Sequence, residues 1–580
     1  MEPISIEPVR HSLAHLLAMS VLELDPEVKL GTGPATDTGF FYDFEFSKGK
    51  TFSENDFKTI EKIMRKFAHQ KLDFVREEAS EKEARELFKD QPYKLELIEE
   101  IVARGEKISL YKTAKFIDLC EGPHITNTRD IPEGAFKLSR IAGAYWKSNE
   151  SSPQLTRITG IAFESKAALE KYEWQQEEAK KRDHKKLGVE LDIFAFSDLV
   201  GSGLPLWTPK GTLMRNLLDE YVWAFRSKHG YEKVEIPHIT KKDLYEKSGH
   251  WEKFKDELFR ITTREGHEFA MKPMNCPHHT QLYARKQWSY RELPQRYANS
   301  TMCYRDEQSG ELAGLSRTRA FTQDDAHVFC QMSQAKKEFL AIWDIVHAFY
   351  GTFGFHLRVR ISTHDPSTPE KYLGDEARWQ TAENMLFEIA TEKKADAFKG
   401  IGEAAFYGPK LDFMAEDALG REWQVATIQL DLNMPDRFDL FCINEKGERE
   451  RIVMIHAAIM GSIERFMSIL IEHTGGAFPL WLSPIQVAIL PIGEAHEPYA
   501  REIAETLRSE NFRVEIKTGE SLGKRIRETK LEKIPYTLVI GDQEVAVKTA
   551  TVESRDSGKL GALSIEEILI RLKEEREKRV

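Results

Sequence analysis

The sequence is poor in cysteine: only five of its 580 residues are Cys, and they are scattered without a regular spacing. A disulfide-stapled secreted domain needs a much denser set of paired cysteines, so that class is excluded and a reducing compartment is expected. The first residues carry acids and histidines where a signal peptide needs a basic start and an apolar core. No uncharged apolar run approaches the roughly 18 residues that a membrane span requires. We therefore expect a soluble, cytoplasmic protein without a membrane partner.

An excess of basic charge is also missing. The formal net charge is -11, so the chain has no global field that attracts nucleic acid, although a local basic face remains possible. The hydrophobic fraction of 41% and the charged fraction of 31% are typical of ordinary globular proteins. At about 150 residues per domain, the length predicts three or four domains.

The N-terminal region combines two short motifs of imidazole and thiol groups. His11 and His15 are four residues apart on a predicted amphipathic helix, so they share one face. Asp118, Cys120 and His124 follow on a predicted turn. Each motif alone would fit an incidental polar edge, whereas both in one domain favour a site. That site could be a tetrahedral metal centre, or a metal-free pocket in which imidazoles position a water for hydrolysis.

Two further features flank these motifs. Lys94 lies on a predicted helix, where it could meet an anionic substrate or simply be a solvated lysine. Residues 164–187 are charged almost throughout and have apolar residues for only a narrow seam. This pattern predicts one long linker helix that separates two domains.

Residues 304–327 predict a hairpin: a strand, a glycine-containing connection and a second strand. Arg305 opens the connection, and Arg317 and Arg319 close it. Arginines that face each other across a hairpin make a fork for a polyanion, because guanidinium binds phosphate through two parallel hydrogen bonds. A salt-bridged surface hairpin is the alternative on these residues alone.

The surrounding region, residues 188 to about 480, supplies partners for this hairpin. A long helix ending at Gly230 is followed by a predicted strand that reaches Pro237, which is typical of an edge or interface strand. Cys276, His327 and His456 are predicted at strand ends, where they offer one sulfur and two nitrogen ligands. Arg465 lies on the helix after the last of these strands. Together these residues favour the phosphate fork over the surface hairpin.

These motifs resemble the threonyl-tRNA synthetase family of class II aminoacyl-tRNA synthetases. Motif 1 of the class is similar to the helix and strand that end at Pro237, motif 2 to YRDE followed by GLSRTRAF, and motif 3 to GSIERF. The family's own marks MNCP, FTQDDAH, FYGPKLDF and MIH are also present, besides HxxxH and CxGPH. The resemblance covers essentially all of the chain.

The resemblance implies ATP-dependent ligation of L-threonine to tRNA(Thr) through a threonyl-adenylate, with hydrolytic editing of seryl-tRNA(Thr). It implies one Zn2+ per subunit on Cys276, His327 and His456, to which the amine and hydroxyl of threonine bind. Valine has no hydroxyl to ligate the metal, and apolar pockets separate such isosteres poorly. Serine lacks only a methyl group, a difference of about 1–3 kcal/mol, so a second site is needed to remove it.

The resemblance also implies roles for individual residues, with Mg2+ accompanying ATP. Arg305 would bind the alpha-phosphate, Arg317 and Arg465 the outer phosphates, and Glu307 the adenine. The implied catalytic residues are Arg305, Arg465 and Lys410; the ATP contacts are Arg305, Glu307, Arg317, Gln424 and Arg465; the threonine contacts are Gln323, Asp325, Tyr407 and Gln429. The implied editing residues form a metal-free, water-activating pocket: His11, His15, Lys94, Asp118, Cys120 and His124.

The expected fold class is a multidomain α/β and α+β protein. We expect an α+β editing domain (1–160), a linker helix (161–187), a class II catalytic domain with an antiparallel sheet (188–480) and a C-terminal α/β anticodon-binding domain (481–580). The last hundred residues alternate strand and helix, which predicts a parallel sheet. By resemblance, Glu544 lies at the anticodon position and motif 1 implies a homodimer. The basic residues Lys524, Arg525 and Arg527 fit an RNA-facing helix or a solvated face.

Four departures from the family pattern stand out. The family commonly has glycine where this chain has His278, and arginine where it has Ala457. Glu553 replaces an arginine near the anticodon site, which changes the donors available for reading bases. The small ubiquitin-like domain at the N-terminus of many members is expected to be absent, because HSLAH begins at residue 11.

Overall fold

The computed structural model describes residues 6–149 and 151–579, and the chain forms two compact units, Met1–Glu177 and Glu178–Val580. The helices of the first unit are α1 (Ile6–Leu24), α2 (Phe57–His69), α3 (Glu81–Leu87), α4 (Pro92–Ala103) and α5 (Lys166–Arg182), the last of which contains the boundary. The strands are β1 (Lys29–Leu30), β2 (Gly39–Glu45), β3 (Val75–Ala79), β4 (Ile108–Thr113), β5 (Phe116–Leu119), β6 (Phe136–Tyr145) and β7 (Gln154–Ala162).

The first unit is built on two antiparallel sheets. One has the strand order β1-β2-β7-β6 and the other the order β3-β4-β5. The predicted N-terminal helix is confirmed as α1, which packs against β2 and α2. Leucines and alanines from the middle of this helix are buried with aromatic residues of β2 in one core: Leu13, Ala14, Leu16, Leu17, Ala18, Phe40, Tyr42 and Phe44. This burial fixes the orientation of α1 and therefore the positions of its two histidines.

The predicted single linker helix over residues 164–187 is wrong. α5 ends at Arg182, and a second helix, α6 (His184–Glu190), begins two residues later. Asp183 separates them: its side chain accepts a hydrogen bond from the backbone N–H of Lys185 at 2.9 Å and caps α6. An aspartate whose carboxylate binds the next turn's amide starts a helix more readily than it continues one.

The next helices are α7 (Pro209–Lys228), α8 (Lys242–Ser248), α9 (His250–Lys253), α10 (Cys276–Ala284), α11 (Met332–Gly351), α12 (Glu376–Glu392), α13 (Met434–Arg437) and α14 (Ile463–Thr474). The strands are β8 (Phe194–Ala195), β9 (Leu206–Trp207), β10 (Glu232–Lys233), β11 (Ile239–Lys241), β12 (Arg260–Thr262), β13 (Glu268–Met271), β14 (Trp288–Ser289), β15 (Gln295–Tyr304), β16 (Ala320–Cys330), β17 (His356–Thr363), β18 (Ala397–Ile401), β19 (Lys410–Glu416), β20 (Glu422–Asp431), β21 (Phe441–Ile443), β22 (Arg449–Arg451) and β23 (Val453–Ser462).

An eight-stranded sheet with the order β10-β15-β16-β23-β20-β19-β17-β18 organises this region. Its inner pairs are antiparallel as expected, and only the pairs at its two edges are parallel. The strand predicted to reach Pro237 is wrong in extent, because β10 covers only two residues, although it does lie at a sheet edge. Proline has no N–H for the ladder, so the chain leaves the sheet before it.

The C-terminal part contains β24 (Val487–Pro491), α15 (Glu497–Ser509), β25 (Val514–Ile516), α16 (Leu522–Leu531), β26 (Tyr536–Ile540), α17 (Asp542–Val547), β27 (Thr549–Ser554), β28 (Gly558–Ser564) and α18 (Ile565–Lys578). The parallel sheet predicted here is right only for β25, β24 and β26, because β27 and β28 add antiparallel strands. The segment between β26 and β27 is too short for a parallel crossover, which needs a dozen or more residues. Among the described residues of the whole chain, no helix has the length and apolar character needed to cross a membrane.

Candidate functional site

Three possible metal ligands converge in the second unit. Cys276 is the first residue of α10, His327 lies in β16 and His456 lies in β23. Their candidate ligand atoms all lie within 4.8 Å of one another. The expectation that both histidines stand at strand ends is wrong, because the strands continue past them to Cys330 and Ser462.

Four polar side chains form one row across four neighbouring strands. His327 of β16 is paired with His456 of β23, which is paired with Gln429 of β20, which is paired with Lys410 of β19. Directly opposed residues of a sheet project from the same face. The sheet therefore presents two possible metal ligands, an amide and an ammonium side by side.

The outer ring nitrogens of the two histidines are already held. His327 Nδ1 lies 2.7 Å from Nδ1 of His279, and Nε2 of His456 lies 3.1 Å from Oδ2 of Asp431. The inner nitrogens, His327 Nε2 and His456 Nδ1, face each other at 3.0 Å. Metal-binding histidines usually have this arrangement, with one nitrogen free for the ion and the other fixed by a partner. Sequence analysis missed His279 and Asp431.

The donor set fits a zinc ion. One thiol and two imidazoles are the ligands that Zn2+ prefers, and three protein ligands leave a fourth position open. Burial lowers the pKa of His327 well below its ordinary value, so this imidazole is neutral, the form that binds metals. Burial also raises the pKa of the Cys276 thiol. A cation bound beside it would stabilise the thiolate and reverse that shift.

The residues expected to bind threonine lie around this row. Asp325 is two residues before His327 on β16 and accepts a hydrogen bond from Nδ2 of Asn275 at 3.1 Å. Burial raises the pKa of Asp325 to about 6. The ring of Tyr407 lies 5.3 Å from that of His456. The Gln429 side chain donates to the backbone oxygen of Gly408, and the Lys410 ammonium lies 2.9 Å from the Asp412 carboxylate.

A cavity of about 320 Å³ is lined by residues of the same strands, β16, β20 and β23. Gln323, Gln424 and Arg465 line it, together with the turn from β23 into α14. Ser462 caps α14 by accepting from the backbone N–H of Arg465 at 3.2 Å, which places Arg465 in the first helical turn. Among the described residues, no carboxylate forms an ion pair with Arg465. Its guanidinium is therefore available to an anion in the cavity.

The predicted hairpin is confirmed as β15 and β16, which are paired from Gln295 with Phe329 to Tyr304 with Ala320. The arginines lie in the connection between these strands, not on them. Arg305 lies 5.8 Å from the ring centre of Phe254 and 5.3 Å from that of Phe321. Cation–π contacts of this kind hold a guanidinium without neutralising it.

Arg317 is engaged differently from Arg305. Its Nε and Nη2 lie 2.8 Å and 2.7 Å from the same oxygen, Oε2, of the buried Glu307, and its Nη2 also forms an ion pair with Glu311 at 3.0 Å. The salt-bridged hairpin considered from the sequence is therefore present for Arg317 in this structure.

His250, which the sequence analysis passed over, begins α9 and is fully buried. Its Nδ1 lies 2.7 Å from the hydroxyl oxygen of Ser248, which itself donates to the backbone oxygen of Tyr245. The ring proton is therefore on Nδ1, and Nε2 is a buried acceptor without a partner among the described residues. The ring lies 6.1 Å from Phe406, the neighbour of Tyr407. No spacing in the sequence marks this residue.

The first unit brings its own predicted cluster together. Candidate ligand atoms of His11, His15, Cys120 and His124 lie within 4.8 Å of one another. The Cys120 sulfur lies 3.3 Å from Nε2 of His11 and 3.2 Å from Nε2 of His124. The hydroxyl of Ser12 donates to Pro8, so it accepts the Nδ1 proton of His124 and leaves Nε2 of that ring unprotonated.

Burial sets the protonation of this cluster. It lowers the pKa of His11 and lowers those of His15 and His124 further, so the imidazoles are neutral. It raises the pKa of the Cys120 thiol to about 12. A protonated thiol is a poor nucleophile, whereas a neutral imidazole can accept a proton from water.

A buried charged pair lies behind the cluster. Lys94 is only 1% exposed and forms an ion pair with Asp118, so the reading of a solvated helix lysine is wrong. The Lys94 ammonium also donates to the hydroxyl of Tyr42 at 3.0 Å, and that hydroxyl donates to Asp118 at 2.6 Å. Asp118 Oδ2 lies 3.5 Å from Nε2 of His15. Sequence analysis missed Tyr42 and Ser12, which fix these groups.

The C-terminal candidates are held by local contacts. Glu544 accepts from the backbone N–H of Gly541 at 2.9 Å and from the hydroxyl of Thr551 at 2.7 Å. The RNA-facing reading is wrong for Arg525, which is buried and donates to the backbone oxygens of Pro491 and Lys517. Glu553 forms an ion pair with Lys530 at 3.0 Å.

Comparisons with known proteins agree with this architecture. The family described as "tRNA synthetase class II core domain (G, H, P, S and T)" matches residues 259–474, and "Anticodon binding domain" matches residues 486–575. "Threonyl and Alanyl tRNA synthetase second additional domain" matches residues 108–159. The antiparallel sheet and the matched core define the class: this is a class II aminoacyl-tRNA synthetase.

Curated relatives narrow the class. A "Threonine--tRNA ligase" of Cytophaga hutchinsonii is 46% identical, over 96% of this chain and 87% of the relative. One of Gloeobacter violaceus is also 46% identical, over 100% of this chain and 94% of the relative. The chain belongs to the threonine–tRNA ligase family.

Solved structures show the same relationship. A threonyl-tRNA synthetase structure from Cryptosporidium parvum is 36% identical, with a TM-score of 0.64, and covers 68% of this chain and 98% of that chain. A putative threonyl-tRNA synthetase from Aeropyrum pernix is 31% identical, with a TM-score of 0.62, and covers 69% and 96%. A prolyl-tRNA synthetase from Giardia lamblia, at 17% identity and a TM-score of 0.57 over 70% and 80%, shares the fold.

Proposed function

We propose that this chain charges tRNA(Thr) with L-threonine in two steps and removes mischarged serine. ATP and threonine first form threonyl-adenylate and pyrophosphate, and the threonyl group then passes to the terminal ribose of the tRNA. The observation that carries the proposal is the row of His327, His456, Gln429 and Lys410, together with the cavity that Arg465 lines. The proposal uses the row to bind the amino acid and Arg465 to bind the phosphates of ATP.

In the first step the protein positions its substrates and stabilises charge, without a protein nucleophile. Arg305 binds the alpha-phosphate, at which the threonine carboxylate attacks. Arg465 and Arg317 bind the outer phosphates with Mg2+, and Glu307 binds the adenine. Gln424 lines the ATP cavity, and Asp325, Tyr407, Gln323 and Gln429 bind threonine. Lys410 completes the row as a cation next to the reacting carboxylate.

We assign one zinc ion per subunit to Cys276, His327 and His456. Bound zinc would ligate the amine and hydroxyl of threonine, which valine cannot match because it has no hydroxyl. His279 and Asp431 hold the two imidazoles with their inner nitrogens toward that position. Serine keeps both ligating groups, so the protein needs its second site.

The cluster in the first unit serves as that second site. His11, His15 and His124 are neutral bases that position a water and accept its proton during hydrolysis of seryl-tRNA(Thr). The protonated Cys120 donates one hydrogen bond there and is not the nucleophile. The buried pair of Lys94 and Asp118 fixes the orientation of His15.

We assign the remaining roles by resemblance to the family. Residues 1–160 edit, 188–480 catalyse and 481–580 bind the anticodon, where Glu544 contacts a base. Two copies form a homodimer through the edge where β10 leaves the sheet, and light scattering should give twice the mass of one chain. The reaction takes place in the cytoplasm, where ribosomes consume its product.

ATP–pyrophosphate exchange across the twenty amino acids, with zinc content measured on the same samples, tests the proposed function. We expect strong exchange with threonine, weaker exchange with serine, background exchange with valine and one zinc per chain. Exchange that favours valine as much as threonine would contradict the zinc assignment.

Arg465→Ala is expected to lower kcat for adenylate formation by about 10²-fold, as loss of a preorganised charge contact usually does. Because no carboxylate among the described residues pairs with Arg465, its whole charge is available to the nucleotide. Single-turnover formation of threonyl-adenylate measures the loss. Arg358→Ala, which removes a surface arginine paired with Asp396 and Glu422, is the matched control. Wild-type kcat in Arg465→Ala would show that Arg465 does not act in the ATP site.

His279→Ala is expected to weaken zinc binding by about 10–100-fold, the usual cost of losing a partner of a metal-binding histidine. His279→Asn should keep most of the affinity, because its side-chain oxygen can accept the Nδ1 proton of His327. Competition with a chelator measures the affinity without recourse to enzyme activity. His278→Ala, at the adjacent buried histidine whose ring nitrogens have no partner among the described residues, is the control. Equal zinc affinity in all three variants would refute this positioning role.

A further inference from the structure

A buried histidine outside the expected sites connects two segments that bind ATP in the proposed function. These are the connection between β15 and β16 and the helix α14. His184, the first residue of α6, is 3% exposed. Its Nδ1 lies 2.6 Å from Oε1 of Glu472 on α14, and its backbone N–H donates to the same oxygen at 3.2 Å. On its other side, Nε2 accepts the backbone N–H of Leu315 at 3.1 Å. Leu315 belongs to the connection between β15 and β16.

These contacts determine the state of the ring. Because Nε2 accepts from an amide, the single proton of the neutral imidazole is on Nδ1 and is donated to Glu472. Asp183, His184 and Glu472 could be taken for a metal site, since their ligand atoms lie within 4.8 Å. Both ring nitrogens of His184 are already used, however, and the second oxygen of Glu472 binds Arg421 at 2.6 Å. The group is a hydrogen-bonded bridge.

The connection fits closely against this ring. Gly314 has φ +57°, and a Cβ added there would lie 2.4 Å from Nε2 of His184. Leu315 is 1% exposed and belongs to the main core of the second unit. The hydroxyl oxygen of the next residue, Ser316, lies 2.8 Å from that of Ser468 on α14. The Ser468 hydroxyl donates to the backbone oxygen of Arg465 at 2.7 Å.

The hydrogen bonds of His184 therefore link the connection that contains Arg317 to the helix that contains Arg465. Arg317 follows Ser316 directly, and Arg465 lies in the first turn of α14, the helix that also carries Ser468 and Glu472. A shift of the connection relative to α14 would change the separation of the two guanidiniums. Misplacement by about 1 Å can cost 10²-fold in rate when groups must meet a substrate together.

We propose that His184 is a positioning residue for ATP: through Leu315 and Glu472 it holds the connection that carries Arg305 and Arg317 at a fixed distance from the helix that carries Arg465. The inference rests on the proposed function, because it takes these arginines to bind ATP. His184 touches neither substrate and acts through the backbone of residues 314–316.

The two hydrogen bonds of the ring can be separated by substitution. In His184→Gln the side-chain oxygen can reach the position of Nε2 and accept from Leu315. In His184→Asn the side-chain amide can reach the position of Nδ1 and donate to Glu472. His184→Ala loses both contacts. His473→Gln is the control. His473 follows Glu472 on α14, but its ring contacts Phe355 and the backbone N–H of Ala418.

Pyrophosphate exchange and hydrogen exchange on the full-length protein test the proposal together. We expect His184→Ala and His184→Asn to raise the KM for ATP by about 10-fold, because the connection and α14 lose their fixed distance. The KM for threonine should change less than about 2-fold. The amide of Leu315 should exchange faster in both variants. His184→Gln should behave as wild type in both assays, because it keeps the bond to Leu315 and the backbone N–H of residue 184 still donates to Glu472. The control should also behave as wild type.

Two results would overturn the inference. The first is an unchanged KM for ATP in all His184 variants of a protein that performs threonine-dependent exchange. The second is an equal rise of both KM values in the alanine and asparagine variants, which would indicate general destabilisation; thermal unfolding of each variant measures this directly. Absence of threonine-dependent exchange in the wild-type protein would instead refute the proposed function.

Discussion

Cys276→Ala is expected to lose the proposed zinc ion, and threonine-dependent pyrophosphate exchange should fall by about 10²-fold or more. Loss of a ligand should cost more than the roughly 10–100-fold that is usual for loss of a ligand's partner. Cys276 supplies the only sulfur of the three ligands and lies at the start of a helix that also carries His279. Its removal leaves two imidazoles, too few to hold the ion against water. Metal analysis and exchange are measured on the same preparation.

Cys330→Ala is the matched control for this prediction. Cys330 is a buried cysteine at the end of β16, the strand that carries His327, and it belongs to the hydrophobic core. Its loss should reduce stability slightly and leave zinc and threonine activation unchanged. If Cys276→Ala keeps full activity and full zinc content, the assignment of the metal to this trio is wrong.

The double variant His11→Ala and His15→Ala is expected to accumulate seryl-tRNA(Thr). Removal of a positioned general base typically costs about 10²–10⁴-fold, so deacylation of Ser-tRNA should fall at least about 10²-fold. Threonylation should continue at the wild-type rate, because the proposed catalytic residues belong to the second unit. Deacylation of preformed Ser-tRNA(Thr) measures the first effect, and charging with threonine measures the second.

His69→Ala is the control, since His69 is an exposed histidine of the same unit at the end of α2. It should deacylate as the wild type does. Unchanged deacylation by the double variant would show that the imidazole cluster has no part in editing. Loss of threonylation together with deacylation would point to unfolding, which circular dichroism on the same sample detects.

The sequence predicted the parts of the structure that depend on local pattern. The 3.6-residue period placed His11 and His15 on one helix face, and helix α1 confirms it. The glycine-containing connection between two apolar runs predicted the β15–β16 hairpin. Predicted positions at strand ends marked Cys276, His327 and His456 as candidates, and the resemblance implied that they meet. The structure brings their candidate ligand atoms within 4.8 Å of one another.

Other features depend on contacts that no local pattern carries. His327 and His456 are paired across strands although 129 residues separate them, and Gln429 and Lys410 extend the same row. Strand register is set by the packing of the whole sheet, so the sequence could not place these histidines inside their strands. His184 and His279 carry no motif, because each acts through a distant partner.

Polar residues were the hardest to place because their environment decides their role. Lys94 and Arg525 read as solvated or RNA-facing cations, yet both are buried and satisfied by internal acceptors. A buried charge needs such partners, and these partners come from other strands and helices. Asp183 likewise could have continued the linker helix, and only its bond to the amide of Lys185 shows that it caps a new one.

The most direct test of the account is aminoacylation of a tRNA(Thr) transcript with labelled threonine and, in parallel, labelled serine. We predict that threonyl-tRNA accumulates to a plateau near one per tRNA, while seryl-tRNA remains at background although ATP is consumed whenever serine is present. Failure to charge threonine in the presence of ATP, Mg2+ and zinc would contradict the proposed reaction. Stable accumulation of seryl-tRNA by the wild-type protein would contradict the editing role of its first unit.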